Sequence, residues 1–168
     1  MIFQNTVDNT ISEMKYKNMY NFIIPKKDLT YLKKIAKEQP IQDINTSSYH
    51  TNEKVMDILN NLLNSVLSKT KLEKIRIVNF LNLKSSISFH NDCGFLDGYE
   101  FDKGVLFLTL DYSDYKCKYP DSITNPQFFA DHEWHNLTYN SIIKFNARNI
   151  HCLLNETNLL GVTIFFSR

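Results

Sequence analysis

The sequence predicts an α+β domain: two amphipathic helices, then a run of short strands that fold into a sandwich or barrel with the helices on one outer face. Three observations carry this. Apolar residues recur at helical spacing only before residue 70, short runs of branched and aromatic residues follow from residue 74, and 168 residues with 43% hydrophobic content suffice for one buried core. One domain is therefore expected over 1–168, with 1–70 mainly helical support and 71–168 the β core. Four glycines and four prolines leave no low-complexity linker to divide it.

Met19 to Pro25 reads as a short strand ended by proline, after which Asp28 is placed to cap a helix bearing Leu29, Leu32, Ile35 and Ala36. A second helix over 51–69 carries the stripe Val55, Ile58, Leu59, Leu62, Leu63 and Val66, with Thr51 or Asn52 as its cap. Strands are expected at Ile75 to Leu81, Ser86 to His90, Val105 to Leu110, Ile142 to Phe145 and Val162 to Phe166. Val105 to Leu110 is almost unbroken in apolar character, as in a strand buried on both faces. Asp111 to Tyr139 shows no clear strand. A stretch of that length in a compact domain is a functional loop or hides an edge strand.

Nineteen basic residues against eighteen acidic ones leave a formal charge of +1. That is no footprint for nucleic acid, and Lys26-Lys27 and Lys33-Lys34 read as solvated helix faces. The cysteines at 93, 117 and 152 have no zinc-knuckle or redox spacing, so reduced thiols in a cytoplasmic setting are expected. The first residues hold no long apolar run, so neither a signal peptide nor a membrane span is expected. No phosphate-cradling glycine loop and no Gly-x-Ser-x-Gly elbow occurs.

The chemistry concentrates at His90-Asn91-Asp92, a His-x-Asp step at the end of a strand pattern, and at His151 just before another. Side chains two apart on a strand share a face, so Ser88, His90 and Asp92 point the same way if the strand runs through Asp92. Two imidazoles and one carboxylate on one side of Fe(II) leave the opposite positions open for oxygen and an organic co-substrate. Taken alone the tripeptide is common, and Asn91-Asp92-Cys93-Gly94 has turn chemistry as well.

Order along the chain adds to this. Residues 75–168 resemble the double-stranded β-helix, the jelly-roll or cupin-like fold, of the 2-oxoglutarate and Fe(II)-dependent oxygenases, in particular the prolyl-hydroxylase-like branch. Ile77 to Asp92 is similar to the strand ending in His-x-Asp, Val105 to Asp111 to the apolar strand after it, Ser141 to Asn146 to the strand before the distal histidine, and Val162 to Phe166 to the closing strand. The resemblance implies His90, Asp92 and His151 as iron ligands, with 2-oxoglutarate as co-substrate and molecular oxygen as oxidant. It implies hydroxylation of a residue in a peptide or protein.

One departure stands out. The branch carries Arg or Lys at the start of its closing strand, to pair with the distal carboxylate of 2-oxoglutarate; here the stretch is Leu159-Leu160-Gly161. A buried dicarboxylate without a charged partner is costly. Another branch takes its lysine from the strand after His-x-Asp, which nominates Lys103, with Thr109 and Thr163 as hydroxyl donors. Lys144, Arg148 and Arg168 are further candidates, and a solvent-facing Lys103 is the plain alternative. The missing cation also leaves open a barrel that binds without catalysing, and related oxygenases suggest oxidative demethylation of a nucleobase. Asp131-His132-Glu133-Trp134-His135 lacks the zinc-peptidase spacing, and its histidines read as exposed neighbours of a half-buried tryptophan. Cys152, beside His151, is expected to pack in the wall.

Overall fold

The computed structural model describes residues 10–13, 19–44, 48–49, 51–70, 74–91, 104–113 and 125–167. In chain order these form β1 (Thr10–Glu13), β2 (Met19–Ile23), α1 (Lys26–Lys37), α2 (Glu53–Thr70), β3 (Lys74–Leu83), β4 (Ile87–His90), β5 (Gly104–Tyr112), β6 (Gln127–Ala130), β7 (Glu133–Asn136), β8 (Ser141–Phe145), β9 (His151–Leu154) and β10 (Leu159–Ser167). Six strands make a sheet ordered β1-β2-β8-β5-β10-β3, and four make a second ordered β4-β9-β6-β7. Neighbouring strands pair antiparallel throughout. From β3 onward the chain passes between the sheets, visiting the large one at β3, β5, β8 and β10 and the small one at β4, β6–β7 and β9.

Two apolar layers hold this together. Leu32, Ile35 and Ala36 of α1 and Val55, Ile58, Leu59, Leu62 and Leu63 of α2 pack on Val78, Phe80, Leu106, Leu108, Ile142, Val162 and Ile164 of the large sheet. The alternate residues of the same strands, Leu81, Val105, Phe107, Ile143, Phe145 and Leu159, turn inward onto Phe128, Ala130 and Leu153 of the small sheet. Period-two alternation therefore explains why β5 is apolar at every position from Val105 to Leu108: even residues face the helices and odd ones the second sheet. Each large aliphatic side chain so buried contributes roughly 1.5–3 kcal/mol.

Asn52 is the cap of α2, its Oδ1 accepting the Val55 amide at 3.1 Å. In α1 the expected Asp28 cap is displaced. Pro25 occupies the N-cap, its carbonyl accepting the amides of Asp28 and Leu29, and Asp28 lies in the first turn, where its charge suits the helix dipole. Lys33 of α1 reaches Asp111 at 3.3 Å, a partly exposed pair worth little by itself. Within the stretch from Asp111 to Tyr139 stands the hairpin β6–β7, joined through Asp131 and His132, both at positive φ. No helix among the described residues is long and apolar enough to cross a membrane.

Candidate metal centre

β4 and β9 are neighbours, and their register sets His90 opposite His151. The two rings lie 4.3 Å apart between centroids, inclined at 63°. His151 is 4% exposed and His90 partly so, placing the pair where the inner face of the small sheet meets solvent. Phe145, with its centroid 4.7 Å from the His151 ring, and Phe128, at 6.1 Å, form the apolar wall behind it.

Each ring is oriented in the same manner. His90 Nδ1 lies 2.7 Å from the carbonyl oxygen of Ser88, and His151 Nδ1 lies 2.9 Å from that of Asn149. A carbonyl oxygen only accepts, so Nδ1 is the protonated nitrogen in both rings. In the neutral imidazole the lone pair then resides on Nε2. A carbonyl on the far nitrogen is the arrangement by which metal-binding histidines have their tautomer and orientation fixed.

At His90 the local backbone accounts for this. β4 carries a bulge between Ile87 and His90 in its pairing with β9, which breaks strict alternation. Ser88 is consequently exposed and offers its carbonyl, not its side chain, and the shared face expected for Ser88, His90 and Asp92 does not form at Ser88. β4 ends at His90, and Asp92 lies outside the described residues. Among the described residues no group of three His, Cys, Asp or Glu side chains gathers around one point.

Behind His151, the turn over 146–150 is fastened to the β6–β7 hairpin. Asp131 Oδ1 accepts Asn149 Nδ2 at 2.8 Å and the Asn146 amide at 3.4 Å. Ahead of His90, the buried Asn155 ties three segments: its Nδ2 donates to the carbonyls of Leu83 and Thr157 at 3.3 and 3.1 Å, and its amide donates to Ser86 Oγ at 3.0 Å. Neither Asp131 nor Asn155 carries a motif that would single it out in the sequence.

The residues considered for a co-substrate are distributed unequally. Lys103 lies outside the described residues, as does Arg168. Thr109 is fully buried on the inner face of β5, opposite Ser141 of β8 and Gly161 of β10. Thr163, partly buried, pairs with Phe107. Lys144 alternates with the inward Ile143 and Phe145 and so leaves on the other side of the sheet, while Arg148 is exposed. At the start of β10 a Cβ added to Gly161 would stand 3.1 Å from the Leu108 carbonyl and 3.2 Å from the Phe107 ring, so Phe107 fills the space a side chain would need. His135, expected to be exposed, is 5% exposed on the inner side of β7, because strand alternation turns it inward while Trp134 points out at 47%. Cys152 is a buried free thiol whose pKa burial pushes up, partly countered by a hydrogen bond from the Phe129 backbone.

No family model matches the chain, and no curated protein matches it. Among solved structures it is similar to a prolyl-4-hydroxylase from Pseudomonas putida, with a TM-score of 0.52 at 15% identity over 89% of this chain and 83% of that one. The likeness is one of fold: an α+β arrangement of mostly antiparallel sheets.

Proposed function

We propose that this chain is a non-haem Fe(II) and 2-oxoglutarate-dependent oxygenase that hydroxylates a residue of a peptide or protein, with His90, His151 and Asp92 as its iron ligands. The observation that carries the proposal is the juxtaposition of His90 and His151 across β4 and β9, each with Nδ1 held by a carbonyl two residues upstream. The alternation of β3 to β10 between the sheets supports reading the core as a double-stranded β-helix, and the likeness to a prolyl-4-hydroxylase favours that fold.

The donor set fits iron. Two imidazoles of fixed tautomer would hold the metal through Nε2, and Asp92, two residues beyond His90 in the sequence, is the carboxylate that the family resemblance assigns to the same ion. Bound there, iron would supply oxygen activation coupled to decarboxylation of a 2-oxo acid. The protein's own part is positional. The carbonyls of Ser88 and Asn149 prevent the rings from turning, and Phe128 and Phe145 close off water on the inner side. Fit to the far carboxylate of 2-oxoglutarate is less direct, because Phe107 occupies the place beside Gly161. That observation favours, as a second reading, a module that holds metal without oxidising anything.

Anaerobic addition of Fe(II) and then 2-oxoglutarate separates the two. The oxygenase gives a weak visible charge-transfer band and releases succinate when oxygen is admitted. A module that binds metal alone gives neither.

A further inference from the structure

Four buried side-chain atoms lack a hydrogen-bond partner among the described residues: Thr109 Oγ1, His135 Nδ1, Asn140 Oδ1 and Ser141 Oγ. Three of them belong to neighbouring residues, and the fourth lies on the facing sheet. Thr109 and Ser141 face each other across β5 and β8, on the inner side shared with Phe107 and Ile143. Asn140 precedes Ser141 and donates its amide to the Thr109 carbonyl at 3.0 Å. His135 sits on the inner side of β7, opposite Phe128, and only residues 136–140 carry the chain from it across to Ser141. His135 and the hydroxyl pair thus stand on the inner faces of the two opposed sheets.

Each unmade bond of this kind costs about 1–3 kcal/mol in a buried setting. A few such atoms scattered through a domain are ordinary, whereas three on adjoining residues with the fourth on the facing sheet indicate something polar that belongs there. The two hydroxyls can donate, as can the His135 imidazole with its proton on Nδ1, and a carboxylate has the several lone pairs to accept from them; Asn140 Oδ1, which only accepts, would stay outside that set. Gly161, beside Thr109 in β10, adds no side chain at this end, and the Phe107 ring lies 3.2 Å from the position its Cβ would take.

We propose that Thr109, Ser141 and His135, with Asn140 at the rim, form a pocket for the carboxylate of a small organic acid, the imidazole serving where a guanidinium or ammonium is absent. Only the identity of the acid, the far end of 2-oxoglutarate, rests on the oxygenase reading. The pocket itself requires no metal.

Glutarate is the probe, titrated calorimetrically into metal-free protein, with 2-oxopentanoate as the matched acid lacking a second carboxylate. Wild type should bind glutarate saturably, one per chain. Ser141→Ala and Thr109→Val should each weaken it about tenfold, and His135→Phe, which keeps ring volume, should remove it. With iron present, 2-oxoglutarate should outbind 2-oxopentanoate, and the same variants should erase the difference. The ligand-free melting temperature gives an independent readout: removing an orphaned hydroxyl in favour of an isosteric methyl should leave Thr109→Val as stable as wild type or more so. Glutarate binding indifferent to all three substitutions, no binding by wild type, or a lower melting temperature for Thr109→Val would each overturn the pocket, the last by showing that the hydroxyl is already satisfied. Failure to bind iron with variant-sensitive glutarate binding intact would sink the oxygenase reading and leave the pocket standing; the opposite pattern would do the reverse.

Discussion

Asn149 is bound to Asp131 through a 2.8 Å side-chain hydrogen bond while its backbone carbonyl lies 2.9 Å from Nδ1 of His151. One residue therefore couples the β6–β7 hairpin to the orientation of a candidate ligand. Asp131→Ala should remove this support, and because Asp131 has φ 49° the alanine also meets a left-handed backbone that favours Asp, Asn and Gly. A loss of about 1–2 kcal/mol in denaturant unfolding is expected. Asp131→Asn, which retains Oδ1, should restore stability. In nitrogen-detected NMR, Asp131→Ala should mix the tautomers of His151 while leaving His90 unchanged.

Gly161 carries a packing prediction. With Phe107 and the Leu108 carbonyl 3.2 and 3.1 Å from its Cβ position, Gly161→Ala should overpack the start of β10 and cost about 1–3 kcal/mol in chemical denaturation. Pairing it with Phe107→Leu should recover part of that loss, since the ring is the softer of the two neighbours. Recovery absent would place the strain at the carbonyl.

Asn155 binds the end of β3, the start of β4 and the turn before β10 at once, and it is 3% exposed. Asn155→Leu leaves buried carbonyls and the Thr157 hydroxyl without their partner, so a loss of about 2 kcal/mol or more is expected. Because β4 is set by this network, the variant should also weaken whatever His90 and His151 hold together, measurable as reduced metal affinity below the melting range.

Cys152 supplies the pH prediction. Its thiol is raised from an ordinary value of 9.0 by burial. It is neutral at physiological pH and should react with thiol reagents only at the rate of unfolding. The sign of its effect on stability follows. Below the ordinary thiol pKa both states are protonated and the contribution is full; as pH climbs past it the unfolded chain loses its proton first, and stability falls until the native thiol ionises as well. Cys152→Ala should flatten that alkaline decline.

Much of this architecture is legible in the sequence. The stripe from Val55 to Leu63 and the double-sided apolar run of β5 state their partners through periodicity alone. The nearness of His90 and His151 was readable only through the resemblance to the oxygenases, since β9 (His151–Leu154) was not among the expected strands. The β6–β7 hairpin was not, since its turn uses Asp131 and His132 at positive φ, without the glycine that usually marks such a turn, and its strands are four residues long. His135 was misjudged for the same reason: without the strand, nothing distinguishes its inward direction from the outward one of Trp134. The bulge at Ser88 likewise has no sequence signature, and it removes the simple alternation on which a shared face with His90 depended. Ser141 and Asn140 become notable only once Thr109 lies across from them.

The most direct measurement is calorimetric titration of Fe(II) under anaerobic conditions into wild type, His90→Ala and His151→Ala. The account predicts one iron per chain for wild type and at least about a hundredfold weaker binding for either variant, with far-ultraviolet circular dichroism unchanged, as loss of one of the three proposed ligands requires. Iron bound by both variants with wild-type affinity and stoichiometry would contradict it.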